Sequence, residues 1–172
     1  MPCAIVSSYA LDCRDAVGGI KNIYITELAN ITAVAENASG FVTGITKSAG
    51  TKYYKYALLP RAKNDFSQNI MADAGLGTVA FEQTINTNFT KLAYATQFQL
   101  QTLIANRCSV IVETKSGQYF LFGRENGVEV TGGSANSGAA MNEFNGYVLT
   151  FTGMEKALAN EVSSSIIAGL QT

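Results

Sequence analysis

Cys108-Ser-Val-Ile-Val-Glu-Thr-Lys115, Ser116-Gly117, then Gln118-Tyr-Phe-Leu-Phe-Gly-Arg-Glu-Asn-Gly-Val-Glu-Val130 is the stretch whose reading decides the fold. β-Branched and aromatic residues fill both runs, and a Ser-Gly pair between them is hairpin chemistry. Asn126-Gly127 splits off a third run. A Gly/Ser/Ala/Asn-rich segment from Thr131 to Glu143 reads as a loose loop, and Phe144-Asn-Gly-Tyr-Val-Leu-Thr-Phe-Thr-Gly-Met-Glu155 returns as a fourth strand. The reading is a β-meander that offers faces and edges for contact and few side chains suited to chemistry.

Outward from that stretch, the same chemistry recurs. Ile20 to Leu28 is a β-branched run with Ile20, Ile23 and Ile25 as core candidates. Phe41 to Thr46 and Lys52 to Leu59 are further strands, the second stopped at Pro60; Ile31 to Ala35 is ambiguous. Lys63 to Met71 alternates, and Thr78 to Phe89 gives the clearest period of two, with Val79, Phe81, Gln83 and Ile85 on one face. One helix is expected over residues 90–106, its apolar stripe running through Phe89, Leu92, Ala93, Thr96, Leu100, Leu103 and Ile104, with Asn88 or Thr90 as cap. Ala159 to Leu170 is a weaker helical candidate. The predicted class is therefore mainly β, a β-sandwich or partly closed barrel with one flanking helix. Residues 1–19 read as an N-terminal arm and 20–172 as a single domain.

Composition narrows the function. The chain has 172 residues, of which 47% are apolar and only 15% charged, against roughly a quarter in ordinary soluble domains. Part of its exterior is therefore expected to be covered by other copies of itself, the alternative being a lightly charged soluble monomer rich in Thr, Asn and Ser. A net charge of −1 without runs of like charge supports no standing nucleic-acid patch. Histidine is absent, which removes His-based triads and the usual zinc sets. No phosphate-binding glycine loop occurs, and the pairs Glu125/Glu129 and Glu143/Glu155 read as solvated turn residues rather than a catalytic dyad. No catalytic residue, cofactor or metal is expected. Cys3, Cys13 and Cys108 do not form a disulfide framework, although a Cys3–Cys13 bridge is open; Cys108 reads as a small buried residue. Neither a signal peptide nor a membrane-length apolar run is expected, which suits a reducing cytoplasm.

Two sets of residues are candidates for contact. Tyr94 and Phe98 fall opposite the helix stripe, either as an exposed aromatic pair or as contacts to a neighbouring subunit. Tyr53, Tyr54 and Tyr56 form a cluster that reads as sheet packing or, alternatively, as a platform for a sugar or base.

Gly18-Gly-Ile-Lys-Asn-Ile-Tyr-Ile-Thr-Glu27, the hairpin from Gly117 to Gly127 and the run Asn145 to Glu155 together resemble virion structural proteins of tailed bacteriophages, those of phages infecting Bacteroidota-type bacteria most of all. The element order is similar to that of the tail tube family, and the resemblance spans Gly18 to Glu155. It implies a sandwich with a flanking helix whose subunits form stacked, hexameric rings around a channel. DNA would pass as cargo, other tail or connector proteins would be partners, and the site of action would be the virion tail, assembled in the host cytoplasm. It carries no catalytic residue. Loops at Lys47–Lys52 and Gly132–Glu143, and the N-terminal arm, are the candidates for bridging. With Tyr94 and Phe98, the residues Gly132, Gly133, Asn136 and Glu143 are the expected subunit interface. Two other readings stay open: a head–tail connector, tail terminator or capsid-decorating protein, and a carbohydrate-binding β-sandwich module.

Overall fold

A computed structural model describes residues 17–60, 62–73 and 75–172. The expected arm thus lies almost wholly outside the described residues, as do Cys3 and Cys13. In chain order the elements are β1 (Ile20–Glu27), β2 (Ile31–Glu36), β3 (Val42–Lys47), β4 (Tyr54–Ala57), β5 (Asp65–Asp73), β6 (Thr78–Thr90), α1 (Tyr94–Ala105), β7 (Cys108–Thr114), β8 (Tyr119–Phe122), β9 (Glu129–Asn136), β10 (Gly146–Glu155), β11 (Asn160–Val162) and α2 (Ser164–Leu170). The fold is mainly β, built from two sheets and not closed into a barrel. The larger sheet runs β2-β3-β11-β8-β7-β1-β4 and the smaller β5-β6-β10-β9. Pairing is antiparallel throughout except between β3 and β11.

The central strands β1 and β7 are buried on both faces, which is why they read as near-continuous apolar runs rather than alternating ones. One row of side chains, Ile23 and Ile25 against Val112 and Val110, meets Ile85, Phe89, Leu149 and Phe151 of the smaller sheet. Phe151 is wholly buried there, a burial that stabilises by about 2–3 kcal/mol. The opposite row, Tyr24 and Ile111 with Val42 and Leu121, packs under Ile167 and Leu170 of α2. A second, short helix thus covers the outer face of the larger sheet. It replaces the single tail helix expected from Ala159, whose first residues instead form β11.

Several expectations are corrected. The meander is not one sheet: after the β7–β8 hairpin the chain crosses at Gly123–Val128, and β9 and β10 belong to the other sheet. Thr131 to Asn136 is strand, not loop, because β10 supplies it with a full antiparallel partner. Ile31 to Ala35 resolves as strand for the same reason, pairing with β3. β6 runs on to Thr90, so Phe89 belongs to the strand rather than the helix stripe. Neither Asn88 nor Thr90 caps α1. Asn88 is tied to Lys63 and Asn64, while Asn145 accepts Lys91 N–H on its carbonyl (2.9 Å) and Leu92 N–H on its side chain (3.1 Å). Lys91 takes a left-handed φ of 72° at that corner. Glu155 is buried rather than solvated, and its carboxylate receives the N–H groups of Glu125 (3.0 Å) and Asn126 (2.8 Å).

Candidate functional site

The smaller sheet presents the most distinctive surface. Strand alternation sends Phe81, Gln83, Ile85, Thr87 and Phe89 of β6 inward, and Glu82, Thr84, Asn86 and Asn88 outward. Register places Thr150 and Thr152 of β10 beside Asn86 and Thr84, and Asp65, Ser67 and Asn69 of β5 on their other side. Those side chains bind one another across the strands. The Thr150 hydroxyl lies 3.0 Å from Asn86 Oδ1, the Asn86 amide donates to Asp65 at 3.3 Å, the Asn69 amide donates to Glu82 at 3.0 Å, and the Thr152 and Thr131 hydroxyls meet at 2.8 Å. None of the four strands contains a lysine or arginine, while Asp65, Asp73, Glu82, Glu129 and Glu155 supply carboxylates. Of these, Glu155 points inward. The result is a face of hydroxyls, amides and a few acids, with Met71 and Met154 half exposed on it and Arg107 reaching it from outside the sheet to pair with Glu129.

Both edges of this sheet, β5 and β9, lack a strand partner among the described residues. α1 stands beside the β9 edge and closes that flank of the sandwich. Its only fully buried residue is Leu100, with Leu103 also on the core, so the real stripe is Thr96, Leu100 and Leu103, narrower than the sequence pattern implied. The helix carries no charge, and Ile104 is half exposed. Between α1 and β9 lies a cleft of about 400 Å³ lined by Gln97, Leu100, Gln101, Ile104, Val130 to Ala135, Tyr147 and Leu149.

The expected interface residues divide. Tyr94 and Phe98 are exposed, at 86% and 63%, yet they open onto different clefts. Tyr94 sits with Leu92 and Tyr147 on the β9 side, whereas Phe98 faces Tyr54 and Tyr56 on the β4 side. Gly132 and Gly133 line the α1–β9 cleft from the strand. A Cβ on Gly133 would meet Val148 O at 2.5 Å, so the cleft floor depends on the missing side chain. Asn136 ends β9 and donates to Ser134 Oγ at 2.8 Å. Glu143 is not brought to that cleft; it closes its own loop on the N–H groups of Ala139 and Ala140, which hold its carboxyl below the usual range.

The tyrosine platform does not form. Tyr53 is buried with its hydroxyl 3.3 Å from Ser109 Oγ, and burial pushes that phenol up to about 12. Tyr56 packs edge-on against Phe89, leaving Tyr54 exposed beneath the Lys52 ammonium at 5.6 Å. Sequence reasoning missed Glu113, which is buried on β7. It receives Asn22 Nδ2 at 2.6 Å, Lys21 Nζ at 2.8 Å and the Tyr24 hydroxyl at 2.9 Å. The signal was present in the polar Asn22 interrupting an apolar strand. No group of metal-binding side chains occurs among the described residues, and no helix there is long and apolar enough to cross a membrane. Comparison of the chain with protein-family models, curated proteins and solved structures returned no match.

Proposed function

We propose that this protein is a structural subunit of a tailed-bacteriophage virion, a tail tube protein that assembles into rings around a DNA channel lined by the smaller sheet. One observation carries this reading: a four-stranded antiparallel sheet that is open at both edges among the described residues, and whose strands contribute no basic residue to its polar outer face. A rotation about an axis to which the strands are inclined at a common tilt keeps the up-or-down sense of every strand. With four alternating strands, β9 of one copy then meets β5 of the next antiparallel, so the sheet continues from subunit to subunit and both edges are covered.

Geometry bears on the copy number. With strands about 4.8 Å apart and tilted by about 40°, three copies would close twelve strands at a radius of roughly 12 Å, little more than side chains fill. Six copies would close twenty-four strands at roughly 24 Å, leaving an open lumen. Strands without bases, beside an Arg107 already paired with Glu129, also suit DNA in transit, because each neutralised phosphate adds salt-sensitive affinity that would hold the cargo. Such a role asks no catalysis of the chain and places it in the virion tail. Negative-stain electron microscopy of the purified protein tests it: stacked rings with a central hole are expected, and a persistent monomer at all concentrations would remove the proposal.

A further inference from the structure

The cleft between α1 and β9 has the form of a slot for an extended strand, and the chain itself carries a matching strand. The free edge of β9 forms one wall, the uncharged helix α1 the other, and Leu149 and Tyr147 the floor. On the opposite flank, Asn69 to Asp73 of β5 are five consecutive exposed strand residues. Ile70 sits on the inner face of the sheet, opposite Phe81, yet is 64% exposed because the larger sheet does not reach it. We infer that the slot receives residues Asn69–Asp73 of a second copy, with the Ile70 side chain filling the space over Gly133. This inference rests on the ring reading above and specifies its contact.

Register and charge both favour that occupant. Setting Ile70 opposite Gly133 in an antiparallel pair also sets Gln68 opposite Ala135. All four positions then lie on inner faces, and a large apolar side chain meets the strand position that has none. Asp65 then falls near Gly138 and Asp73 near Val130. Along the chain Lys91 precedes α1 and Arg107 follows it, with no charge on the helix between them. β5 is bounded by Asp65 and Asp73, with no charge between them. Glu129, which precedes Val130 on the outer face, is held by Arg107 through Nε, leaving the terminal guanidinium nitrogens for a second carboxylate. Spacings agree as well: eight strand steps span roughly 26 Å, and a twelve-residue helix roughly 18 Å before its two flanking segments are added. Because strand and slot lie on opposite edges of one subunit, the contact is head-to-tail and propagates.

Two half-defective copies test this. Ile70→Asp removes the strand and leaves the slot; Ile104→Asp spoils the slot and leaves the strand. Each variant alone should stay monomeric by analytical ultracentrifugation while keeping wild-type circular dichroism. An equimolar mixture should stop at a dimer, one intact slot on one intact strand. Wild-type-like assembly of either variant, or a mixture that stays monomeric, would overturn the inference while leaving a ring-forming wild type in place. A wild type that never assembles would overturn both. Should either variant fail to fold, the pair Gln68→Cys with Ala135→Cys in one chain gives an independent reading. Within a subunit these sites are three strand spacings, roughly 14 Å, apart and out of disulfide reach. Oxidised assemblies should therefore give a ladder of multimers on a non-reducing gel, and rings that yield none would equally overturn the slot.

Discussion

Gln83 on β6 accepts the backbone N–H of Gly123 at 3.0 Å, a hydrogen bond from the smaller sheet to the point where the chain leaves the larger one. Gln83 is 2% exposed, and Gly123 has a left-handed φ of 64°, where a Cβ would lie 2.6 Å from Val128 N and 2.8 Å from Cys108 O. Gln83→Leu should therefore orphan a buried donor and cost about 1–3 kcal/mol in urea denaturation. Gly123→Ala should cost more, above about 2 kcal/mol, since it adds strain to crowding.

Glu155 holds the next part of the same crossing. Its carboxylate takes two backbone N–H groups from the turn at Glu125–Asn126, while the Asn126 amide donates to Met154 O at 2.8 Å. Glu155→Ala should lower stability by about 2–3 kcal/mol and raise hydrogen exchange at the Glu125 and Asn126 amides. Glu155→Gln, which keeps an acceptor oxygen, should restore much of the loss.

Glu113 makes stability depend on acid. Burial opposes its charge, but the hydrogen bonds from Asn22, Lys21 and Tyr24 and the Lys21 charge outweigh burial and hold its pKa below the ordinary range. Its stabilisation is thus complete above the unfolded value of about 4.3 and is lost as pH falls through the lower folded value. Denaturation midpoints measured from about pH 7 to pH 3 should fall in that window for the wild type and less steeply for Glu113→Gln. Glu113→Ala should cost about 2–4 kcal/mol near neutral pH, because the Asn22 amide and the Tyr24 hydroxyl lose their acceptor.

Cys108 is 1% exposed, and burial, with Glu27 nearby, pushes its thiol up to about 11. The thiolate is the reactive form, so alkylation of the native protein at about pH 8 should leave the Cys108 peptide unmodified by mass spectrometry. The same peptide should be fully modified in urea.

If the smaller sheet lines a channel, Thr84→Cys should react in assembled rings with a small maleimide but slowly with one carrying a long polymer. Ser39→Cys, on the turn of the β2–β3 hairpin, should react with both. Equal rates for Thr84→Cys with the two reagents would place that face outside.

The predominance of strands, the alternation of β5 and β6, the β7–β8 hairpin and the burial of Ile20, Ile23, Ile25 and Cys108 were determined by the sequence alone. Each is a local matter of side-chain period and turn chemistry. Tertiary structure decided what local pattern does not encode. Thr131–Asn136 contains two glycines and reads as loop, and only the β10 edge makes it a strand. Whether Tyr53 was a platform or a core residue depended on Ser109 and on α2, far away in the chain. The Cys108–Glu155 stretch looked like one meander because sequence records which runs are strands, not which sheet each joins. The crossing at Gly123 is set by long-range packing, and it leaves β9 as the open edge beside α1.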